Sequence, residues 1–540
     1  MTRIVCFFAI IMVMLMPFKG VAGVLKGRVM DAKSKALNGA TICLVGKRNC
    51  ILTNDAGDYS LSLKPGNYKV VCRSEGFKEN IFSLTMPVSG DMEHDFIMDT
   101  LRNKGDDLDN MLDSLHQPLR GIAKTLEVMA LGVSVKLATD TVKISALMDG
   151  VLNYNPVEGV NVAPRVEWLH KLGTGQYLSS AFATRYGFSN RHFNAIGRVA
   201  YVHEDKKWRG RYWLVGVSLG KYVFQYDYDN AVFPLFNSVS ALLWDDNQLK
   251  IYEQKVSAFY FGRNYGNGLM WNLHFEYDTR IPLKNTTNFS FAGKGTDTFA
   301  SNVPSNLAAL APFERHDAAI IRLNVSYQPG YTYAYYKDYK VANLSNAPVF
   351  NLGYDKGIQG IANSKVNFDK WRLMMAGNID LKKAGIIGYN TGFGGFLNSA
   401  YISIPDLMHL YGNKGIGIAA PYLYSFQFAQ YYEFSNKESF YDETHVEYNL
   451  NGFISNQLPG FKQAKLNFVV GSNVFYARQS DYYTEAFFGI DNIGFGKYHY
   501  LRLDFVQSWD SNGGRNSGFR LGINSRSLVS LRQGNLNSNW

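Results

Sequence analysis

The sequence predicts an all-β protein: a small β-sandwich, a short helical linker, then a transmembrane antiparallel β-barrel of about sixteen strands. Three observations lead there. The segment Trp271-Asn-Leu-His-Phe-Glu-Tyr-Asp278 alternates strictly: Trp271, Leu273, Phe275 and Tyr277 are apolar, while Asn272, His274, Glu276 and Asp278 are polar. Strand side chains alternate faces with period two, so this stretch has one greasy face and one wet face. The same pattern recurs roughly a dozen times after residue 155, which marks a repeated wall rather than one amphipathic strand. The composition agrees, with 36 Phe, 35 Tyr and 50 Gly against 15 Pro, and a slightly negative mean hydropathy. A barrel needs apolar residues only at alternate, lipid-facing positions.

Taken in order, the chain opens with Met1-Thr-Arg3, an apolar run from Ile4 to Phe18, and small residues to Gly23. This reads as a secretory signal peptide over residues 1–22, cleaved after Ala22. The run is short for a spanning helix, and Cys6 lies too early in it for a lipoprotein cleavage site. Cys43, Cys50 and Cys72 remain in the exported chain. Two of the three can pair, but an odd count fixes no connectivity. No metal site is expected, since no His or second Cys sits at zinc spacing. The formal charge of +10 is scattered, without a basic run, so no nucleic-acid partner is expected.

Residues 24–98 carry short alternating runs at Leu25–Val29, Ala40–Val45, Tyr59–Leu63, Tyr68–Val71 and Ile81–Leu84. Turn clusters such as Asn54-Asp-Ala-Gly57 and Lys64-Pro-Gly-Asn67 separate them, which predicts a sandwich. The stretch resembles the carboxypeptidase-regulatory-like family, a transthyretin-like β-sandwich. Gly27-Arg-Val29, Leu37-Asn-Gly-Ala40, Thr53-Asn-Asp-Ala-Gly-Asp-Tyr59 and Pro65-Gly-Asn-Tyr68 carry the likeness, with Asn38 where the family often has proline. The resemblance implies no peptidase, because zinc ligands and catalytic residues are missing. It implies a module that stabilises a neighbour or docks a periplasmic or envelope protein.

Over residues 99–150 the period changes. Leu108, Met111, Leu112 and Leu115 stand at helical spacing, and Pro118 opens a second run through Ile122, Leu126 and Met129, so a helical linker is expected. The barrel is expected over 151–527, followed by a polar tail at 528–540. Its clear strands are Tyr212–Tyr226, Met270–Asp278, Ile320–Tyr327, Trp371–Leu381, His445–Ile454, Leu466–Tyr476 and Tyr498–Trp509. Lumen-facing positions are Asn272, His274, Glu276, Asp278, Arg322, Arg372, Asp380, Glu447 and Asp504. Burying such charges in a dry sandwich without partners costs on the order of several kcal/mol each, which favours a wet lumen. Long links fall near 227–247, 282–316, 329–347 and 399–422. Two of them flank a single strand, so either a strand is missing or some long links lie on the periplasmic side.

Asn155-Pro-Val-Glu-Gly159 opens the first expected barrel strand. Together with Pro329-Gly-Tyr331, Gly353-Tyr-Asp-Lys-Gly357, Tyr431-Tyr-Glu-Phe434, His445-Val-Glu-Tyr-Asn-Leu-Asn-Gly452 and Gly489-Ile-Asp-Asn-Ile493, it is similar to a family of Bacteroidota-type outer-membrane proteins. These join a carboxypeptidase-regulatory-like domain to a large barrel, and their function is unknown. The resemblance runs from about residue 24 to 524 and implies location in the cell outer membrane, among its lipids. It supplies no catalytic or binding residues.

The chemistry-bearing motifs are thin. His274 and Glu276 share a strand face but read as pore lining rather than an acid–base pair. No GxSxG nucleophile motif occurs. Gly392-Phe-Gly-Gly395 lacks the helix and Lys of a phosphate loop. Tyr331–Tyr336 and Tyr482-Tyr483 read as interfacial aromatic belts rather than sugar-stacking patches. The expected function is an integral outer-membrane barrel, a channel or an envelope assembly or maintenance component, without enzymatic activity or cofactor. A TonB-type receptor-transporter is the alternative, against the absent plug and a strand count short of roughly 22. An outer-membrane hydrolase is the other. The sequence names no solute.

Overall fold

The computed structural model describes residues 23–98 and 132–523, apart from 32–35, 45–49, 64–65, 75–76, 78, 87–90, 138, 146–149, 228–231, 293–298, 336–338, 344, 415–421, 478–481 and 496–497. The expected signal peptide, linker residues 99–131 and the tail at 528–540 lie outside the described residues.

The N-terminal unit is two four-stranded sheets. One is built on Gly23–Asp31, which pairs antiparallel with Asp58–Leu63 and parallel with Met92–Glu93 and Phe96–Met98. The other runs Cys50–Leu52, Thr41–Leu44, Gly66–Arg73, Asn80–Met86. Alternate residues meet in a core of Leu25, Val29, Ile42, Leu61, Val70, Phe96 and Met98. The Asn54–Gly57 turn closes on itself: Asn54 Oδ1 accepts from the amides of Ala56 at 3.0 Å and Asp58 at 2.8 Å. Gly27 is required because a Cβ there would lie 1.9 Å from the His94 carbonyl oxygen. Cys43 and Cys50 form a disulfide, and Cys72 is free and buried. Their pairing, left open by the count, follows from the register, since Cys43 and Cys50 stand directly opposite on adjacent strands.

The second unit is a closed barrel whose successive long strands pair antiparallel. Its strands are β1 (Val133–Lys136), β2 (Asp140–Ile144), β3 (Leu152–Asn155), β4 (Gly159–Val162), β5 (Arg165–Gly173), β6 (Gln176–Gly187), β7 (Phe193–Glu204), β8 (Arg211–Gln225), β9 (Ile251–Tyr265) and β10 (Leu269–Pro282). They continue as β11 (His316–Tyr327), β12 (Val349–Gly357), β13 (Asn367–Asp380), β14 (Ile386–Tyr401), β15 (Tyr441–Asn449), β16 (Asn467–Ala477), β17 (Tyr482–Phe495), β18 (Tyr498–Asp510) and β19 (Arg515–Ile523). Among the described residues, fifteen of these have nine residues or more, and β1–β4 are short. No helix among the described residues is long and apolar enough to cross a membrane. Alternation places Val199, Val217, Leu219, Phe259, Phe275, Leu373, Leu503 and Phe505 on the outside, all well exposed.

Two expectations need correction. The described residues from 132 to 145 are not helical linker: β1 and β2 form a hairpin, and β2 pairs with β5 from Asp140 opposite His170 to Ile144 opposite Val166. Val133-Ser-Val and Thr141-Val-Lys-Ile are β-branched and alternate with period two, so they join the sheet, and the barrel starts before residue 151. The expected strand His445–Ile454 stops at Asn449, because Asn451 (φ 44°) and Gly452 (φ 84°) adopt left-handed backbone and turn the chain.

The strand directions also place the links. Those at 226–250, 283–315 and 402–440 share one end of the barrel. The link at 328–348, after β11, lies at the other end, among short turns such as 174–175 and 266–268. Among the described residues, no barrel strand is missing beside β11.

Candidate functional site

The link from β14 to β15, residues 402–440, carries nine aromatic side chains, far more than a solvated connection needs. It folds into the barrel. Nearly every described residue from Ile402 to Asn413 is buried. Its two arms hold each other through bridges between Met408 and Asn436 and between Gly412 and Phe426. The Asn413 amide donates to the Phe426 carbonyl at 2.8 Å.

The wall grips this link from many sides. Arg280 on β10 donates from Nη1 to Asp406 Oδ2 at 2.6 Å. Asn390 on β14 donates to the Leu423 carbonyl at 2.8 Å, and Asn473 on β16 to the Ser425 carbonyl at 3.2 Å. Glu485 on β17 accepts from the amides of Gln427 at 2.8 Å and Phe428 at 2.7 Å. The Arg502 guanidinium on β18 lies 4.3 Å from the Tyr422 ring centre, and Arg520 on β19 donates to the Asn413 carbonyl at 2.7 Å. The described residues of this link, gripped by inward side chains of β10, β14 and β16–β19, lie within the lumen. An apolar cluster adjoins it, in which Ile404, Leu407, Leu410 and Phe426 join Ile320, Phe368, Tyr441 and Phe475 of the wall.

The nine predicted lumen positions all sit on the inward face, in three environments. Asn272 and Asp380 are exposed, as is the inward Asn324 that donates to Asn272 at 3.2 Å. These lie nearer the short-turn end. Deeper, His274, Glu276, Asp278 and Arg322 join one relay. Arg322 donates to Glu276 at 2.6 Å, and Gln254 Nε2 bridges Glu276 at 2.7 Å and Asp278. Arg280 then joins Asp278 at 3.2 Å to Asp406 of the link. The His274–Glu276 approach is 3.5 Å, so Arg322 is the closer partner of Glu276. The third group is Arg372 with Glu443 at 3.5 Å, and Glu447 and Asp504, both bound to Arg502 at 2.6 and 2.7 Å.

The wet lining expected for these residues is therefore corrected at two of them: Asp278 and Asp504 are fully buried, as is Arg502 beside Asp504. They tolerate burial because each charge meets an opposite one, which offsets the desolvation that would otherwise expel it. Gly489, in the Gly489–Ile493 motif, makes room for this: a Cβ there would lie 1.8 Å from Asp504 Oδ1. The Asn155–Gly159 motif has a comparable explanation. It is the tip of the β3–β4 hairpin, where Asn155 Oδ1 accepts from Val157 and Glu158 amides and Glu158 takes both Nε and Nη2 of buried Arg185. Arg280, Arg502, Glu485 and Asp406 were missed from the sequence. The first three had the alternation signal, but Asp406 lies in a link, where only the unusual aromatic content hinted at burial.

Comparison with known proteins adds the following. A family model described as "Family of unknown function (DUF5686) C-terminal domain" matches residues 127–490, and one described as "Carboxypeptidase regulatory-like domain" matches residues 24–99. The carboxypeptidase N catalytic chain of Mus musculus is 32% identical over 72 residues, covering 13% of this chain and 16% of that protein. The chain therefore spans about a sixth of the curated relative it matches. CdiB from Acinetobacter baumannii aligns at 10% identity and TM-score 0.33, over 79% of this chain and 62% of that one. BamA from Haemophilus ducreyi lacking POTRA domains 1–3 aligns at 11% identity and TM-score 0.36, over 79% and 86%. At these scores neither likeness assigns an activity.

Proposed function

The chain belongs to the family of unknown function DUF5686, and on that premise we propose that it is an integral outer-membrane barrel that is closed at rest and serves envelope assembly or maintenance. The observation that carries this reading is the link 402–440 seated in the lumen and held by Arg280, Glu485 and Arg520. An always-open channel would not fill its own bore with an ion-paired, aromatic segment. The exposed apolar outer face suits lipid contact. The N-terminal sandwich docks an envelope protein, and the molecule performs no catalysis. Glu276 is held by Arg322 at 2.6 Å rather than poised toward a substrate.

The test is conductance of the full-length protein in planar bilayers. The expected result is a silent baseline for the native chain and large, lasting steps once residues 403–436 are replaced by a short Gly-Ser turn. Heat-modifiable migration on gels confirms that both forms are assembled. A native chain that conducts as steadily as the deletion variant would overturn the closed reading.

A further inference from the structure

The outward face of β8–β11 is not smooth. Ser257 on β9 and Ala319 on β11 are small residues facing the same way as their bulky neighbours, with Tyr277 of β10 between them in register. They leave a groove of about 560 Å³, walled by Leu219, Phe259 and Phe275 on one side and Ile361 on the other. Its lining is almost wholly apolar. Tyr277 fixes the far wall by donating its hydroxyl to the Ala362 carbonyl, which holds Ile361 beside the strand. Two residues further along the same face of β9, toward the long-link end, stands exposed Lys255. Across from it is Lys221 of β8, paired to Glu253 at 2.8 Å. The nearest acid on the other flank, Asp317, lies two strands from Lys255 and accepts from Thr279 at 2.6 Å.

An apolar slot ending at an exposed ammonium matches one chemistry, an acyl chain attached to an anionic headgroup. We propose that this groove is a binding site for a single anionic phospholipid, its acyl chain along Ser257 and Ala319 and its phosphate at Lys255. The site rests on the membrane-spanning reading of the barrel, because only a wall immersed in lipid presents acyl chains to it. Small residues are otherwise a poor use of a lipid-facing position, where Leu or Phe would bury more apolar surface.

The test is native mass spectrometry of the full-length protein, released from detergent micelles doped with phosphatidylglycerol or phosphatidylcholine. The native chain is expected to retain one phosphatidylglycerol and markedly less phosphatidylcholine. Ser257→Trp fills the groove and abolishes retention of both. Lys255→Glu weakens phosphatidylglycerol retention roughly fivefold and leaves phosphatidylcholine unchanged. Ala319→Phe fills the same slot from the neighbouring strand, should Ser257→Trp fail to assemble. Equal retention by native and groove-filled proteins overturns the site, and so does indifference to headgroup charge. Heat-modifiable insertion into vesicles is measured alongside. A chain that never inserts sinks the membrane reading itself, whereas one that inserts and retains no lipid sinks only this site.

Discussion

Arg280 and Asp406 meet at 2.6 Å although 126 positions separate them, one on the barrel wall and the other on the link that enters the lumen. Both are almost fully buried. Arg280 also holds Asp278, so one guanidinium binds two carboxylates. Arg280→Ala should leave both acids buried without their cation, at a cost of about 3–5 kcal/mol. The expected outcome is a lower temperature for loss of the heat-modifiable band, together with intermittent conductance from a dislodged link. The double variant Arg280→Ala, Asp406→Ala should lose less than the two single changes added together, because the second removes a charge that the first stranded. Strict additivity would mean that the pair does not hold the link.

A second buried pair makes a local prediction. Glu158 is 1% exposed and takes two guanidinium nitrogens of Arg185. Asn155 supplies its other contact, at 2.7 Å. Arg185→Met should free the tip of the β3–β4 hairpin at a cost of about 3 kcal/mol. Hydrogen exchange in the peptide covering 150–162 should speed up, while that of β17 and β18 stays unchanged. Uniform acceleration across the barrel would mean that the pair supports the whole wall rather than the hairpin.

How much of this was legible follows from what a period of two carries. It tells which face a residue occupies, so Asn272, Glu276, Arg322 and Asp504 could be placed inward from the sequence. It does not tell what stands opposite across a closed ring. Asp406 pairs with Arg280 through a fold-back whose driving force is nonlocal burial of Ile404, Leu407 and Phe426, and no local pattern encodes that. The same limit explains the described residues from 132 to 145. The helical spacing upstream was extended too far, whereas Val133–Lys136 and Asp140–Ile144 are short strands whose pairing with each other and with β5 decides their conformation.

The sandwich offers a chemical check. Cys72 is wholly buried between the sheets, and that burial pushes its thiol up to about 12. The thiolate is the reactive form, so the group is shielded both sterically and by protonation. In the folded protein, N-ethylmaleimide at pH 7 should leave the Cys72 peptide unmodified, and raising the pH to 9 should change little. Prior reduction should expose Cys43 and Cys50 to the reagent, and unfolding should make Cys72 reactive as well. Rapid native labelling of Cys72 would show that the sandwich opens or packs differently.

The facing assignment of β10 can be tested with adjacent residues. Leu273 lies on the outer face, opposite Phe261 and Leu323 of the neighbouring strands. Asn272 lies inward, exposed, with Asn324 beside it at 3.2 Å. Leu273→Arg places a charge against hydrocarbon and should cost about 2–4 kcal/mol near the bilayer midplane. Asn272→Arg enters a wet space and should cost almost nothing. The fraction of chain reaching the heat-modifiable form should therefore fall sharply for the first and stay at the native level for the second. Glu276→Gln would be a neutral comparator in an open pore, but here it deprives Arg322 of its counter-charge and should fall between the two. Equal tolerance of Leu273→Arg and Asn272→Arg would refute the assignment of faces. A neutral Glu276→Gln would instead leave the faces intact and place water around the Arg322–Glu276 pair.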